Sequence, residues 1–373
     1  MKIAVIGGGA IGLTAALGAA QNGQSVTLFD PQGFVQPPPS GEMHPRVWAL
    51  GPKAISLLTE LGVWCDDVRH CRYQQMRVID ATSDAHVSFQ EQSLGVIVEA
   101  DWVRYHLIER LSTHRIACRA EAVAKASPDG QVVLSDGRVE SFDLVVFAEG
   151  RSAQAATASG FVQIDGGYRQ QALVATLAAT EPHAGEAFQI FTPLGPLALL
   201  PLPDHDGAHR VSLVWSVSVS DALQLQSASI ESLLHRVNMA SEDVRGGLDF
   251  VSDPIWIPLS QHALRRDAHG RCLAIGDTAH GILPLAGLGA NLGFADVAAL
   301  QVALKKSTRD GARVARTVER MRRLDQQAVA FSMGLFSDVF RSNNPMVRLG
   351  RSLALRTADR HGSLRRLIQE AAG

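Results

Sequence analysis

The sequence predicts an α/β protein: a dinucleotide-binding, Rossmann-like domain with an inserted antiparallel β-sheet domain and a helical C-terminus. Three observations predict it. A glycine-rich turn, Gly7-Gly8-Gly9-Ala10-Ile11-Gly12, follows the apolar run Lys2–Ile6 directly. A second glycine-rich stretch, Gly276-Asp277-Thr278-Ala279-His280 with Pro284-Leu285-Ala286-Gly287-Leu288-Gly289-Ala290-Asn291, lies about 270 residues further on. Between them the pattern turns β-rich, with short apolar segments separated by turn residues.

The first motif has the surroundings that give G-x-G-x-x-G its meaning. A strand-like run precedes it, an Ala- and Leu-rich stretch from Ala10 to Gln21 follows, and a second run, Ser25–Phe29, ends in Asp30, eighteen residues beyond Gly12. That is the strand, tight turn, helix, strand and acid order of a dinucleotide fold. Gly7 permits the turn, Gly9 lets backbone approach a pyrophosphate, and Gly12 lets the helix pack on the sheet. The N–H groups around Ala10 and Ile11, at the positive end of the helix, suit phosphate. Asp30 is placed to accept hydrogen bonds from the adenosine ribose and disfavours a 2′-phosphate. The competing reading, a secretory signal starting at Lys2, gives no reason for three spaced glycines and an acid after the next strand.

Residues 1–30 thus form a β-α-β unit. Pro31 to Pro45, with prolines at 37, 38 and 39, is a loop. Arg46 to Gly62 reads as helical, as does Trp102 to Leu111. Val132–Leu134 and Leu144–Phe147 read as strands around the turn Ser135-Asp136-Gly137-Arg138. Tyr168–Thr176, Ala187–Phe191, Ala198–Leu200 and Val211–Val219 read as strands of the inserted sheet. Cys272–Ile275 is a short buried strand, a helix starts near Asn291, and the pattern is mostly helical from Arg313 onward. The division expected is residues 1–70, 95–165 and 265–330 for the nucleotide domain, 71–94 and 166–264 for the substrate domain, and 331–373 for a C-terminal helical segment.

At the second motif, Asp277 ends a buried strand, where a carboxylate can bond a sugar or ribityl hydroxyl. Gly276 is delivered with it as a cofactor-binding residue; Gly287 and Gly289 allow backbone close to a flat ring, with Pro284 as part of the wall. The helix from Asn291 points its positive end at that ring, which suits a flavin that becomes anionic on reduction. A nicotinamide dinucleotide needs one cradle; a chain with two reaches around a longer cofactor, and FAD is the natural candidate.

Composition narrows the rest. The 373 residues are 46% hydrophobic and 19% charged with a formal net charge of -2, which gives no general attraction to nucleic acid. Cys65, Cys71, Cys118 and Cys272 form neither a CxxC pair nor a metal-ligand cluster, so no metal is expected and a reduced cytoplasmic setting fits. The longest uncharged runs are broken by proline or glycine and read as no membrane-spanning helix.

The run Ile257-Pro258-Leu259, His262-Ala263, Leu273–His280, Pro284–Gly293, Asp296 and Leu300 resembles the ubiquinone-biosynthesis hydroxylases, flavin monooxygenases related to p-hydroxybenzoate hydroxylase. The resemblance spans nearly the whole chain, including Arg46 with Ala49-Leu50, Leu61–Trp64, Phe191–Pro193, Leu199–Leu202 and Val214-Trp215. It implies an FAD domain, a β-sheet substrate domain with the active site between them, and hydroxylation of a phenolic ring with O₂ and NADH or NADPH. The nicotinamide dinucleotide would dock transiently, since no second cradle for it is visible. Three positions depart from the family: Glu149 in place of Asp, Leu283 in place of Asn and Leu288 in place of Gln.

Individual residues keep two readings. His280 reads as a catalytic base or as a structural, flavin-orienting histidine, and the second is favoured because the chemistry is flavin-driven. Arg46 reads as a cofactor contact or as a pin for the proline-rich loop, with the cofactor favoured. Glu99 and Arg104 read as ribityl contacts or as a solvated helix face. Pro254-Ile255-Trp256-Ile257-Pro258 only superficially matches a flavin-halogenase signature, and the chain lacks the redox cysteine pair of a disulfide reductase. The alternatives carried forward are an aromatic hydroxylase of secondary metabolism or catabolism, and a silent flavoprotein scaffold. In the C-terminal segment, Arg348, Arg351, Arg356, Arg360, Arg365 and Arg366 lie among leucines, a pattern for a peripheral membrane or partner contact at the inner membrane face, or for a helix packed on the protein.

Overall fold

A computed structural model describes residues 1–65, 69–83, 85–242, 244–281, 289–306 and 309–341, with residue 168 and residues 327–341 described as backbone. Lys2–Ile6, Ser25–Phe29, Ile116–Arg119, Leu144–Phe147 and Cys272–Ala274 form a parallel sheet, which Ala268–His269 extends as an antiparallel edge. Ile3 pairs with Val26 on one side and Leu144 on the other, so the first strand is central. Parallel strands are covered on both faces, which is why Lys2–Ile6 and Leu144–Phe147 read as continuous apolar runs. Helices Ala10–Gln21, Ala100–Leu111, Gly289–Lys306 and Gly311–Arg341 pack on one face. The other face carries a three-stranded sheet (Val123–Ala126, Gln131–Leu134, Val139–Ser141) and the short helix Gln154–Ala158.

A second sheet of ten strands runs His280–Gly281, Ile255–Leu264, Gln163–Ala179, Ala208–Ser218, Gly195–His205, Glu186–Thr192, His70–Asp80, His86–Glu99 and Val47–Leu50, with Leu248–Phe250 on the end of Gln163–Ala179. Only the pairing of His70–Asp80 with Glu186–Thr192 is parallel. Its central hairpin turns at Asp206-Gly207, both with positive φ (49° and 74°), the backbone that an Asp-Gly turn supplies. One face packs Leu173, Leu197, Leu199, Leu213 and Trp215 against helices Val219–Gln226 and Ile230–Ala240. The other face, with Ala172, Val174, Ala198, Leu200 and Val214, meets Met43 and Val47 from the segment that leaves the nucleotide sheet. Burial on both faces explains the unbroken apolar run Leu197–Leu200.

The expected helix over Arg46 to Gly62 is corrected. Val47–Leu50 is an edge strand paired with His86–Glu99, and the helix is confined to Pro52–Glu60. Gly51 and Pro52 mark the change, since proline is favoured in a first helical turn and disfavours helix before it. Helices Val219–Gln226 and Ile230–Ala240, each capped by a serine side chain (Ser218 and Ser229), were not anticipated.

Backbone is closely packed at Gly12, where an added Cβ would stand 1.9 Å from the Gly7 carbonyl oxygen. Gly12→Ala should therefore lower stability by about 1–3 kcal/mol through overpacking, read as a lower urea midpoint with unchanged m-value.

Candidate cofactor site

The first motif is built by close packing. Gly7 has φ +114°, and a Cβ on it would lie 2.2 Å from the Ala148 carbonyl oxygen, so no side chain is tolerated. Gly9 differs. It caps the helix in an extended conformation (φ -73°), and a Cβ on it would meet nothing within 4 Å. The helix Ala10–Gln21 has no acidic residue in its first turn and no side-chain N-cap, so its leading N–H groups and positive dipole end are left for an external anion. Asp30 sits at the end of the next strand, accepting from the Gly8 amide at 2.5 Å and from the Gln32 amide at 2.8 Å. Arg104 braces the loop from above, with Nε donating to the Gly8 carbonyl at 3.2 Å and Nη1 to Gln36 Oε1 at 2.5 Å. It is thus neither idle nor a solvated helix face.

The second motif lies directly against the first. A Cβ on Gly276 would stand 3.2 Å from Ile11 Cγ2, and one on Gly293 only 2.7 Å from Ile11 Cδ1. Gly276 has φ +59°, and its amide donates to Asp296 Oδ2 at 2.9 Å. The half-exposed Asp277 carboxylate lies 3.7 Å from Arg151 Nε, and Arg151 Nη1 donates to the Pro258 carbonyl at 2.9 Å. The Asp277 carbonyl pairs with His262 Nε2 at 2.9 Å, which ties the motif to the large sheet.

His280 is buried and bonded through Nε2 to Asp296 Oδ2 at 2.6 Å, while Asp296 Oδ1 accepts from Arg322 Nε at 2.8 Å. Burial opposes the charged imidazolium, but Asp296 outweighs it and the His280 pKa is raised. Burial likewise opposes the Asp296 carboxylate, yet His280 and Arg322 hold its pKa below the usual range. His280 is thus a buried, ion-paired side chain and not an accessible base.

Other expected residues take roles of their own. Asn291 uses its side chain on protein: Nδ2 donates to the Ala49 carbonyl at 2.8 Å and Oδ1 accepts from the Gly51 amide at 2.9 Å. Only its backbone, with that of Gly289 and Ala290 in the first turn of helix Gly289–Lys306, is left to face a ligand. Arg46 pins the loop through its backbone, its carbonyl accepting from Ala100 N at 3.1 Å, while its side chain is exposed and has no polar partner among the described residues. Glu99 is corrected: it is buried, accepts from the His44 amide at 2.8 Å and pairs with Arg69, so it holds the proline-rich loop to the sheet. Glu149 accepts from the amides of Ala155 and Ala156 at 3.0 and 2.9 Å, capping the short helix. Burial raises its pKa against those two bonds. Pro284 and Gly287, with Leu283 and Leu288, lie outside the described residues.

Arg322 is a candidate that residue patterns missed, and Asp296 entered them only as part of the family-like run, with no role of its own. An aspartate among apolar helix positions was the available signal for Asp296; Arg322 had none, being one arginine of many. A separate cavity of about 510 Å³, lined by Met43, Arg69, Thr176, Leu202 and Arg210 among others, lies between the proline-rich loop and the large sheet. No glycine of either cradle lines it, and the Arg210 guanidinium there is held by Glu42 at 2.8 Å.

A dinucleotide cradle completed by a distant glycine motif, with a large, mostly antiparallel sheet against it, defines the fold of an FAD-dependent oxidoreductase. Residues 145–332 match the FAD binding domain family. The chain is 30% identical to the 3-demethoxyubiquinol 3-hydroxylase of Escherichia coli (strain K12), over 98% of this chain and 96% of that protein. It is 30% identical to the mitochondrial ubiquinone biosynthesis monooxygenase COQ6 of Xenopus tropicalis, over 84% of this chain and 79% of that one. The chain belongs to the FAD-dependent ubiquinone-biosynthesis hydroxylase family. Solved structures share the fold: PqsL of P. aeruginosa (TM-score 0.74, 19% identity, 92% of this chain and 97% of that one) and the flavin-dependent halogenase CmlS (TM-score 0.73, 19% identity, 94% and 69%).

Next to the buried cluster, burial pushes the Asp267 carboxyl up to about 6, ahead of the influence of His280 and Asp296. A raised carboxylate pKa means stability that is full below the unfolded value near 3.8 and is lost as pH rises toward 6. Asp267→Asn should therefore be more stable than wild type at pH 7.5, by roughly 2–3 kcal/mol at most. Thermal midpoints measured from pH 4 to 7.5 should show the difference shrinking as pH falls.

Proposed function

We propose that this enzyme hydroxylates the aromatic ring of a phenolic quinone precursor in ubiquinone biosynthesis, consuming O₂ and NADH or NADPH. The observation that carries the reading is the end-to-end similarity to 3-demethoxyubiquinol 3-hydroxylase, together with two glycine motifs in direct contact. The reaction balances as ring C–H, O₂, NAD(P)H and a proton giving ring C–OH, water and NAD(P)⁺.

The residues present fit FAD. The open space at Gly9 and the uncapped N–H groups of Ala10, Ile11 and Gly12 would take the pyrophosphate, with Gly7 shaping the turn. Asp30 would bond the adenosine ribose. Gly276 and Asp277 would meet the ribityl chain, and the N-terminus of Gly289–Lys306, with the backbone of Gly289, Ala290 and Asn291, would face the ring system. Arg46, Pro284 and Gly287 complete the proposed set. When bound, the cofactor carries electrons from NAD(P)H to O₂ and delivers one oxygen atom to the substrate. The protein binds and orients both rings, excludes water and stabilises charge through the helix end.

Quinone precursors of this pathway carry a polyprenyl tail, so the ring must be drawn from a membrane or from partner proteins. No helix among the described residues is long and apolar enough to cross a membrane. The arginine-rich segment from Arg348 to Arg366, outside the described residues, is the proposed peripheral contact. Binding of full-length protein to anionic vesicles at low salt, lost on truncation at residue 345, is the expected result. Equal binding by both forms, or by neither, rejects the segment as a membrane contact. Ring-stimulated NAD(P)H oxidation separates the hydroxylase from a silent scaffold, and a deletion strain should accumulate the unhydroxylated precursor.

Two substitutions test the cradle. Gly9→Val should fold as wild type, because nothing within 4 Å opposes a Cβ, yet fail to take up FAD. Asp277→Ala should raise the FAD dissociation constant about 10- to 100-fold, the loss of a charged acceptor of about 1.5–3 kcal/mol. Flavin fluorescence titration reads both.

A further inference from the structure

Helix Gly289–Lys306 carries one buried carboxylate, Asp296, among its own apolar residues Phe294, Val297 and Leu300. A buried charge of this kind is costly, and an apolar residue of similar volume would serve packing as well. Its partners show what the charge provides. Asp296 Oδ2 accepts from the Gly276 amide at 2.9 Å and bonds His280 Nε2 at 2.6 Å; Oδ1 accepts from Arg322 Nε at 2.8 Å and lies 3.5 Å from Gln326 Nε2. Two of those groups belong to the second glycine motif and two to helix Gly311–Arg341. The remaining charges around the cluster are Asp267 and Asp277 on the segments flanking Cys272–Ala274, and Glu319 and Asp325 on the long helix. Arg322 Nη1 also bonds Asp325 Oδ2 at 2.6 Å, so the guanidinium is fixed on two sides.

We infer that Asp296 is a positioning residue for the cofactor's second cradle, holding Gly276 and His280 in place, and that Arg322 makes the long C-terminal helix part of that cradle. The inference rests on the FAD reading above. Both carboxylate oxygens of Asp296 are occupied by protein groups. It keeps the Gly276 amide and the positive-φ turn in register with Ile11, and it fixes the ring of His280. Arg322 keeps the carboxylate ionised and its Oδ1 edge occupied, which leaves Oδ2 for the motif. Loss of Arg322 would leave Asp296 with one cationic partner in a buried site, and the bond to the Gly276 amide would no longer be held in one geometry.

The test uses the full chain, with FAD affinity read by fluorescence and thermal midpoint read on the apoprotein. Arg322→Met should raise the FAD dissociation constant at least tenfold, and Arg322→Lys should restore it to within about threefold of wild type, a neighbouring cation being what Asp296 needs. Val237→Ala, a core truncation in helix Ile230–Ala240 remote from the motif, should lower the thermal midpoint without moving the dissociation constant. An unchanged constant in Arg322→Met, an equal change in Val237→Ala, or no rescue by lysine overturns the inference. If Arg322→Met does not fold, Arg322→Gln, which retains a donor but no charge, carries the same comparison. Wild-type protein that takes up no FAD overturns the cofactor reading itself, and is told apart by that control alone.

Discussion

The structure depends on one contact: the side chain of Ile11, in the first turn of the opening helix, against the bare backbones of Gly276 and Gly293. A Cβ at Gly293 would collide with it at 2.7 Å. Further along the same helix pair, Gly18 leaves room for Gln301, which a Cβ would meet at 2.5 Å. Helices Ala10–Gln21 and Gly289–Lys306 therefore pack through glycines, closer than bulkier residues would permit. That closeness joins two motifs from opposite ends of the chain into one site, and the strand Cys272–Ala274 beside Leu144–Phe147 sets the level at which the second arrives.

Around this contact the polar groups are arranged as ties between layers. His262 on the large sheet bonds the Asp277 carbonyl, Arg151 spans from Asp277 to the Pro258 carbonyl, and Glu99 holds the proline-rich loop through His44 and Arg69. A neutral tie of this kind contributes about 1 kcal/mol net, and a buried one with a charged partner, such as Arg69 with Glu99, about 1.5–3 kcal/mol. Their use is geometric. They fix the faces of two sheets that also meet where Leu50, Val98 and Leu264 of the large sheet enter the cores of the nucleotide domain.

Much of this was legible in the sequence because it is local. The opening β-α-β unit follows from glycine spacing and an acid after the next strand, and the helix Ala10–Gln21 has the bounds its composition suggests. The identity of the second motif was legible only in combination with the first. What escaped is non-local. Val47–Leu50 reads as helix by its apolar content and becomes a strand because His86–Glu99 offers it an edge. Glu149 reads only as a departure from the family's Asp, and its side chain accepts from the amides at the start of a short helix six residues on. Arg322 carries no local signal, since its partner Asp296 is set by the packing of two helices.

The clamp made by Asn291 has a consequence for recombination between relatives. Its side chain holds the carbonyl of Ala49 and the amide of Gly51, at the end of a strand that belongs to the large sheet by pairing and follows the proline-rich loop in sequence. Any exchange of the large sheet between homologues must choose which parent supplies Val47–Leu50. If it comes with the sheet, residue 291 must match it across a gap of 240 positions. The natural unit of inheritance is thus a three-dimensional joint, and a crossover that separates strand from asparagine cuts through its hinge pin.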